Sequence, residues 1–239
     1  MSFESSSVII TGASRGIGRS IALIFSSKTE HPLVLIARSQ EGLEKTKELC
    51  LEAGASKITV ISCDLTKESE IAEISLPGDF PKPGIIINNA GSYLYKTLAN
   101  TASTEFIEQI ETNLLSAVYV TNRFLKDLKS RERGIIINIC SVGALEGLKE
   151  SGAYASSKHA LLGYTRSLRK ELMQSNIAVT AINLGQTKST SWESSDVNPL
   201  LLIDPDDIGK LLVTLTELSP RTVAEEIIVK PQRGRVPPM

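Results

Sequence analysis

Residues 7–18 read SVIITGASRGIG, a short run of mostly β-branched residues that ends in a glycine-rich turn. The run does not alternate with polar residues, which indicates a strand that is buried on both faces. A helical pattern follows the turn and continues through Ser27. The stretch therefore predicts a strand, a turn and a helix, and the N-terminus of such a helix favours an anion.

Three glycines determine what this turn can bind. Gly12 permits a tight turn, Gly16 lets the backbone approach a diphosphate, and Gly18 lets the helix pack close to the strand. Their G-xxx-G-x-G spacing differs from the common G-x-G-x-x-G fingerprint, and no Gly-Lys-Ser/Thr follows, so the turn is not a P-loop. A plain loop is the alternative, but a position between a strand and a helix favours nucleotide binding.

Six further apolar runs predict strands, at residues 33–37, 57–64, 85–88, 134–139, 177–182 and 226–230. Helical patterns lie between them, at residues 40–53, 104–128 and 154–173 and after residue 204. This alternation predicts an α/β fold. We expect one doubly wound (Rossmann) domain over residues 1–239, with a mostly parallel seven-stranded sheet and helices on both faces.

The composition is that of a globular protein, with 239 residues of which 41% are hydrophobic and 22% are charged. A net charge of -1 gives no electrostatic case for binding nucleic acid or a membrane surface. No apolar run approaches the roughly 20 residues of a membrane span, and the N-terminus lacks the pattern of a signal peptide. Three scattered cysteines without metal-ligand spacing predict buried thiols, no metal site and a cytoplasmic location.

Two strand ends carry charges that suit a nucleotide. Arg38 follows the second strand, where a carboxylate would suit the ribose of NAD and an arginine suits the 2′-phosphate of NADP. Arg15 in the glycine-rich turn adds a second cation, so the pair favours NADP(H); the alternative is that Arg38 is a solvated strand-end charge. Asp64 ends the third predicted strand, and its carboxylate either accepts from an adenine amino group or caps the next helix.

The stretch 138–158, NICSVGALEGLKESGAYASSK, holds three residues that can form a catalytic site. Tyr154 and Lys158 are four apart, which places both side chains on one helix face. A nearby ammonium lowers a phenol pKa from about 10 by roughly 1–3 units, which suits proton transfer near neutral pH. Ser141 follows a strand, and its hydroxyl could hold the oxygen that Tyr154 protonates. An ordinary surface helix is the alternative interpretation.

Other polar residues fall in apolar surroundings. Asn113 lies inside a helical pattern and is either a core amide or the holder of a water in a site. Residues 88–91, NNAG, follow the fourth strand and can lock the sheet end while leaving room for a ring. His159, next to Lys158, is expected to be a surface helix residue rather than a ligand.

Several candidate residues lie at the carboxyl ends of predicted strands. In parallel sheets, ligands bind beyond these ends. The residues at those ends are Gly12, Arg38, Asp64, Asn88, Ser141 and Gly185. Their convergence predicts one shared site.

Six motifs stand out along the chain: Thr11-Gly12-x-x-x-Gly16-x-Gly18, Asp64-Leu65, Asn88-Asn89-Ala90-Gly91, Asn113, Ser141 and Tyr154-x-x-x-Lys158. In these motifs the chain resembles the short-chain dehydrogenase/reductase family, and the resemblance covers essentially its whole length. The resemblance implies an NADP(H)-dependent oxidoreductase in which Tyr154 protonates a carbonyl oxygen while hydride arrives from the nicotinamide. It also implies that Lys158 holds the ribose hydroxyls and lowers the Tyr154 pKa, that Ser141 steadies the substrate oxygen, and that Asn113 orders a relay water.

The resemblance implies contacts with cofactor and substrate as well. The cofactor residues are Gly12, Ser14, Arg15, Gly16, Ile17, Gly18, Arg38, Ser39, Asp64, Leu65, Asn89, Ala90, Gly91, Tyr154, Lys158, Gly185, Thr187 and Ser189. The substrate residues are Ser141, Leu145, Tyr154 and Trp192, although Trp192 could equally be a packing residue. We expect a small-molecule carbonyl substrate and a homodimer or homotetramer.

Three departures from the family pattern bear on the substrate. Leu184 replaces the usual proline after the sixth strand, which predicts a looser turn there. The C-terminal residues 221–231 resemble the sepiapterin-reductase-like and broad carbonyl-reducing members, and the short loop 189–204 predicts an open pocket. We therefore expect reduction of a ketone or dicarbonyl. The alternatives are a 3-oxoacyl-acyl-carrier-protein reductase and a non-catalytic NADP(H)-binding regulator.

Overall fold

The computed structural model describes residues 3, 6–192 and 196–236, and its described strands form one seven-stranded sheet. The strands are β1 (Ser7–Thr11), β2 (Leu33–Ala37), β3 (Ile58–Ser62), β4 (Pro83–Asn88), β5 (Gly134–Ile139), β6 (Ile177–Leu184) and β7 (Glu226–Val229). They lie in the order β3-β2-β1-β4-β5-β6-β7, and every neighbouring pair is parallel. The predicted fold class is confirmed.

Helices connect the strands and cover both faces of the sheet. They are α1 (Gly16–Lys28), α2 (Gln40–Glu52), α3 (Glu68–Ala72), α4 (Ser103–Ile110), α5 (Ser116–Lys129), α6 (Gly152–Glu171) and α7 (Pro205–Glu217). Alternate residues of the buried strands face opposite helical layers, since side chains of a strand alternate between faces. Ile10 packs with Phe25 and Leu212 of the α1 and α7 layer, whereas Ile9 packs with Phe124 of the α5 layer.

The order of the strands creates a crevice at one edge of the sheet. The chain builds β1, β2 and β3 in one direction and then crosses back to place β4 on the other side of β1. Helices leave the neighbouring ends of β1 and β4 on opposite faces, which opens the crevice where ligands bind in doubly wound sheets.

Buried amides stiffen this edge. Asn88 Nδ2 donates to Asn138 Oδ1 at 2.8 Å and to Thr121 Oγ1 at 3.1 Å, and Asn138 Nδ2 donates to Thr165 Oγ1 at 2.8 Å. These bonds tie β4 and β5 to α5 and α6 through buried polar groups, which need partners away from water. The expectation that amides lock this end of the sheet is confirmed for Asn88, the last residue of β4.

Two strands end two residues away from the predicted position. The third strand stops at Ser62 rather than at Asp64, because the Asp64 carboxylate accepts from Thr66 N at 3.1 Å and Thr66 Oγ1 at 2.9 Å and so closes a turn. The sixth strand continues through Leu184, and Gly185 N donates to Val229 O at 2.7 Å. The expectation of a looser turn was wrong, because leucine can continue a strand ladder that proline interrupts.

The helical pattern at residues 104–128 is continuous but not uniform. Between α4 and α5 the backbone forms a π-helical turn, Glu111–Leu115, with Asn113 at its centre. π turns are rare and often occur at functional sites. The sequence predicted one continuous helix over this stretch and did not reveal the π turn.

The structure also tests the expectations for the cysteines and for membrane-spanning segments. Cys50, Cys63 and Cys140 are free thiols and are buried, as predicted. In the ranges that the structure covers, no helix has the length and apolar character that crossing a membrane requires.

Helix α7 packs closely on α1 at Gly209. A β-carbon at this position would lie 2.7 Å from Ile24 Cβ. We expect Gly209→Ala to lower the free energy of unfolding by about 1–3 kcal/mol, since the extra methyl group overpacks the core. Urea unfolding measures the change.

Gly163→Ala is the matched control, because Gly163 is also helical but a β-carbon there would meet no atom within 4 Å. Alanine at this position should raise the free energy of unfolding by about 0.5–1 kcal/mol, since it restricts the unfolded chain and favours helix. Equal effects of the two substitutions would contradict close packing at Gly209.

Candidate active site

The predicted catalytic residues lie together in one cavity of about 1090 Å³ at the carboxyl ends of the strands. Asn113, Ser141, Tyr154 and Lys158 all line it. They come from the π turn, the end of β5 and the first turns of α6. The fold therefore brings the four residues to the carboxyl edge of the sheet, as the sequence predicted.

Tyr154 and Lys158 lie on one face of α6, with Lys158 Nζ 6.0 Å from the centroid of the Tyr154 ring. Lys158 is 5% exposed, and its Nζ donates to Ile139 O at 3.0 Å. Ser141 follows β5, and its Oγ accepts from Gly143 N at 3.0 Å and hydrogen-bonds the Tyr154 side chain. The serine and tyrosine hydroxyls therefore face a common point in the cavity.

The ionisation of this pair differs from prediction. Burial raises the pKa of Tyr154 to about 12. The hydrogen bond with Ser141 lowers this pKa, but its effect is smaller than that of burial. Burial also lowers the pKa of Lys158. The predicted lowering of the Tyr154 pKa by Lys158 is wrong for the cofactor-free protein, because loss of hydration opposes the charged forms of both groups.

Asn113 is buried, and protein groups satisfy its side-chain amide. Its Oδ1 accepts from Ser92 N at 2.9 Å, and its Nδ2 donates to Ser92 O at 3.0 Å and to Ser157 Oγ at 3.0 Å. Nδ2 also contacts Gln109 Oε1 at 3.2 Å. The amide thus joins the π turn, the segment after β4 and helix α6, which supports the interpretation of its side chain as a core amide.

The glycine-rich turn has the backbone that the sequence predicted. Gly12 adopts φ +66°, in the left-handed region that favours glycine. A β-carbon on Gly18 would lie 2.3 Å from Gly12 O, so only glycine lets α1 pack this close to the turn. Arg19, which the sequence did not single out, donates from Nε to Thr46 Oγ1 at 2.9 Å and from Nη2 to Ser14 O and holds the turn against α2.

Helix α1 offers an open anion site at this turn. Its N-cap is Arg15, whose side chain does not cap the helix, and its first turn carries no acidic residue. The first N–H groups of the helix are therefore available to a phosphate. The residues present fit a dinucleotide diphosphate at this position.

The ends of β1 and β4 are joined by Thr11 and Asn89. Thr11 Oγ1 accepts from Asn89 N and Ala90 N, each at 3.0 Å, and Asn89 Nδ2 donates to Thr11 O at 3.0 Å. Asn89 and Gly91 line the cavity. These bonds keep the segment after β4 beside the glycine-rich turn.

The predicted adenosine end lies on the open surface. Arg15 and Arg38 are exposed there, and Ser62 Oγ donates to Arg38 O at 2.9 Å. Partial burial of Asp64 opposes a low pKa, but two hydrogen bonds from Thr66 and the charge of Arg38 hold that pKa below its ordinary value. Asp64 therefore closes a turn with Thr66. It does not cap α3, whose N-cap residue is Lys67, so the helix-capping alternative is wrong.

Two more of the predicted cofactor residues have structural contacts of their own. Ser39 is the N-cap of α2 and accepts from Gly42 N at 3.1 Å. The Leu65 side chain is buried in the core, so only its backbone is available to a nucleotide.

The segment after β6 forms the opposite wall. Gly185, Thr187, Ser189 and Trp192 line the cavity, together with Ile17. The predicted substrate residue Leu145 does not: it ends a short 3-10 turn and is 41% exposed, outside the cavity wall. His159 is exposed on α6, with Nδ1 2.9 Å from Ala155 O, as expected of a surface residue.

Sequence reasoning missed several residues of the substrate end. Tyr93 packs edge-on against Tyr154, with ring centroids 4.9 Å apart, and its hydroxyl lies 2.7 Å from Ser151 Oγ. Tyr95 and Arg235 also line the cavity. The aromatic pair directly after the NAG motif was a usable signal for Tyr93, whereas nothing local in the sequence marked Arg235.

Comparison with known proteins places the chain in a family. The family model for short chain dehydrogenase matches residues 6–198. A sepiapterin reductase from Chlorobaculum tepidum is 28% identical over 96% of this chain and 97% of its own length. The chain therefore belongs to the short-chain dehydrogenase family, and the predicted resemblance is confirmed.

Solved structures agree with this assignment. An alcohol dehydrogenase from the archaeon Thermococcus sibiricus, complexed with 5-hydroxy-NADP, superposes with a TM-score of 0.88 at 28% identity, over 96% of this chain and 98% of its own. A variant of actinorhodin polyketide ketoreductase with NADPH gives a TM-score of 0.85 at 25% identity, over 96% and 97% of the two chains.

The ionisation of Tyr154 gives a direct test of the site. Its folded-state pKa of about 12 lies above the ordinary value of 10.0, so its contribution to stability is complete below pH 10 and is lost as the pH rises towards 12. We expect the ultraviolet difference titration of cofactor-free wild type against Tyr154→Phe to show no tyrosinate from Tyr154 at pH 10. A titration step below pH 10 would instead support the original prediction of a lowered pKa.

Proposed function

We propose that this protein reduces a ketone or dicarbonyl to an alcohol with NADPH, and that Tyr154 is the general acid. The observation that carries the proposal is the common position of Ser141, Tyr154 and Lys158 in one cavity beside the glycine-rich turn. A cavity of this size accommodates a small substrate beside a nicotinamide.

The enzyme class itself is confirmed. The family match and the NADP-bound or NADPH-bound structures that resemble this chain support an NADP-dependent oxidoreductase, as the sequence predicted. When bound, the cofactor supplies hydride to the carbonyl carbon.

Residues of this chain would hold the cofactor at three places. The open N-terminus of α1 would bind the diphosphate through its backbone N–H groups. Arg15 and Arg38, both exposed at the strand ends, would bind the 2′-phosphate, since a guanidinium matches phosphate geometry. One N–H group of Lys158 donates to Ile139 O, and its other N–H groups would donate to hydroxyls of the ribose.

The hydroxyl groups of Tyr154 and Ser141 act on the carbonyl oxygen of the substrate. Because burial raises the Tyr154 pKa, the phenol carries its proton at neutral pH and can donate it to the carbonyl oxygen as charge develops there. The Ser141 hydroxyl donates a hydrogen bond to the same oxygen. The tyrosinate that remains is stabilised by the Lys158 ammonium, and the oxygen ends as an alcohol with the proton from Tyr154.

Removal of the phenol tests the acid role. We expect Tyr154→Phe to lower kcat for a 1,2-diketone at least about 1,000-fold, because the general acid is lost, while NADPH still binds. NADPH oxidation and NADPH fluorescence measure the two effects. Tyr119→Phe, which removes a hydroxyl from a tyrosine outside the cavity wall, should leave both unchanged. Substantial turnover by Tyr154→Phe would remove Tyr154 from this role.

Charge reversal tests the 2′-phosphate site. We expect Arg38→Asp to reduce the ratio of kcat/KM for NADPH over NADH about 10- to 100-fold, since a charge-assisted contact is lost and repulsion of the phosphate is gained. Arg221→Asp makes the same charge change at an exposed position before β7 and should leave the ratio unaltered. An unaltered ratio in Arg38→Asp would contradict the assignment.

The likeness to a polyketide ketoreductase favours the 3-oxoacyl-acyl-carrier-protein reductase alternative. A panel of a 1,2-diketone, a sepiapterin-like pterin ketone and an acetoacetyl thioester separates the candidates. Preference for the thioester would favour this alternative. Absence of turnover with intact NADPH binding would favour a regulator. A cytoplasmic location and a homodimer or homotetramer remain predictions.

A further inference from the structure

The C-terminal segment crosses the substrate end of the cavity and is anchored there. Gln186 Nε2 donates to Val236 O at 2.7 Å, and Val236 N donates to Gln186 Oε1 at 2.6 Å. The Val236 side chain is buried with Val197 and Leu202. Upstream, Gly234 N donates to Pro231 O at 2.9 Å and closes a turn. Arg235 thus follows directly from a turn and precedes an anchored residue.

Arg235 lines the same cavity as Tyr154, on the side of two further phenols. Burial raises the pKa of Tyr93, and the Ser151 hydrogen bond and the positive charge of Arg235 oppose that rise. The hydrogen bond to Glu150 raises the pKa of Tyr95, and Arg235 opposes this rise as well. The positive charge of Arg235 therefore acts on both phenols, which line the same cavity.

The guanidinium has no anionic partner of its own in the part of the chain that the structure describes. Glu150 is a candidate, since it lines the same wall. Its carboxylate accepts from Tyr95 Oη instead, and none of the ion pairs of the described residues joins it to Arg235. An arginine beside a cavity keeps its charge and five N–H donors, a geometry that matches a carboxylate.

From these contacts we propose that Arg235 recognises a carboxylate on the substrate, so that the preferred substrates are keto acids. The inference rests on the proposed function, because it names the substrate class of the same cavity. The carbonyl lies at Ser141 and Tyr154, and the carboxylate lies at the Arg235 side of Tyr93. Tyr93, Tyr95 and Trp192 line the cavity between and around these places and suit an aromatic or extended carbon skeleton.

A matched pair of substrates tests this proposal. The probes are para-acetylbenzoate and para-acetylbenzamide, which carry the same ketone and ring and differ in charge. We expect wild type to prefer the acid by about 10- to 100-fold in kcat/KM, mainly through KM, because the carboxylate binds away from the reacting carbon. The preference should shrink as salt is added, since Arg235 is exposed.

Three variants assign the preference to one side chain. Arg235→Met should remove the preference by raising the KM for the acid at least about 10-fold more than the KM for the amide, and Arg235→Lys should restore part of the preference. Arg233→Met is the matched control, because Arg233 is an exposed arginine two residues away that does not line the cavity. Equal kcat/KM for acid and amide in wild type, or a preference that survives in Arg235→Met, would overturn the proposal.

A binding measurement keeps this test separate from the proposed function. Trp192 is the single tryptophan of the chain and lines the cavity, so its fluorescence reports occupancy in the NADP⁺-saturated protein. If neither probe is reduced but the acid binds at least about 10-fold more tightly than the amide and Arg235→Met abolishes the difference, carboxylate recognition stands and the reductase assignment fails. Equal binding of acid and amide would overturn carboxylate recognition whatever the turnover.

Discussion

The burial of one ammonium group governs the site. Lys158 is almost fully enclosed, and among the described residues its hydrogen-bond partner is a neutral carbonyl, that of Ile139. A buried charge without an ionic partner costs free energy, which is why its pKa falls. The bond to Ile139 uses one of the three N–H donors of Lys158, so two remain for hydroxyl groups of a ligand.

This environment also explains why the neutral phenol is the resting form. Burial by the surrounding protein disfavours the Tyr154 anion, which raises the pKa of the phenol. In the proposed reaction, the phenol would hold its proton until hydride transfer, and Lys158 and Ser141 would stabilise the anion afterwards.

Most of the fold could be predicted because its signals are local. The continuous apolar runs at Leu33–Ala37 and Gly134–Ile139 match the strands residue for residue. Errors arose where side chains decide the backbone, as at Asp64, which turns the chain, and at Leu184, which lets β6 continue. A side chain that hydrogen-bonds the backbone competes with the hydrogen bonds between strands, and a hydrophobic pattern alone does not show which of them forms.

Within the site, residue positions were predictable but their energetics were not. Strand ends of a parallel sheet must meet, so Ser141, Tyr154 and Lys158 could be placed together. The Tyr154 pKa depends on burial by the whole cavity wall, which spacing on a helix does not describe. Arg235 was missed because it reaches the cavity through contacts between distant parts of the chain, namely Gln186 with Val236.

The π turn at Glu111–Leu115 has a consequence for how this sequence can change. One extra residue in a helical turn rotates everything downstream by about 100° relative to an α-helix. Helix α4 can therefore face the rim of the site near α6 while α5 faces the sheet, although they form one continuous rod. Loss of a single residue here would put the two halves out of phase with their partners. The packing of both helices thus fixes the length of this segment.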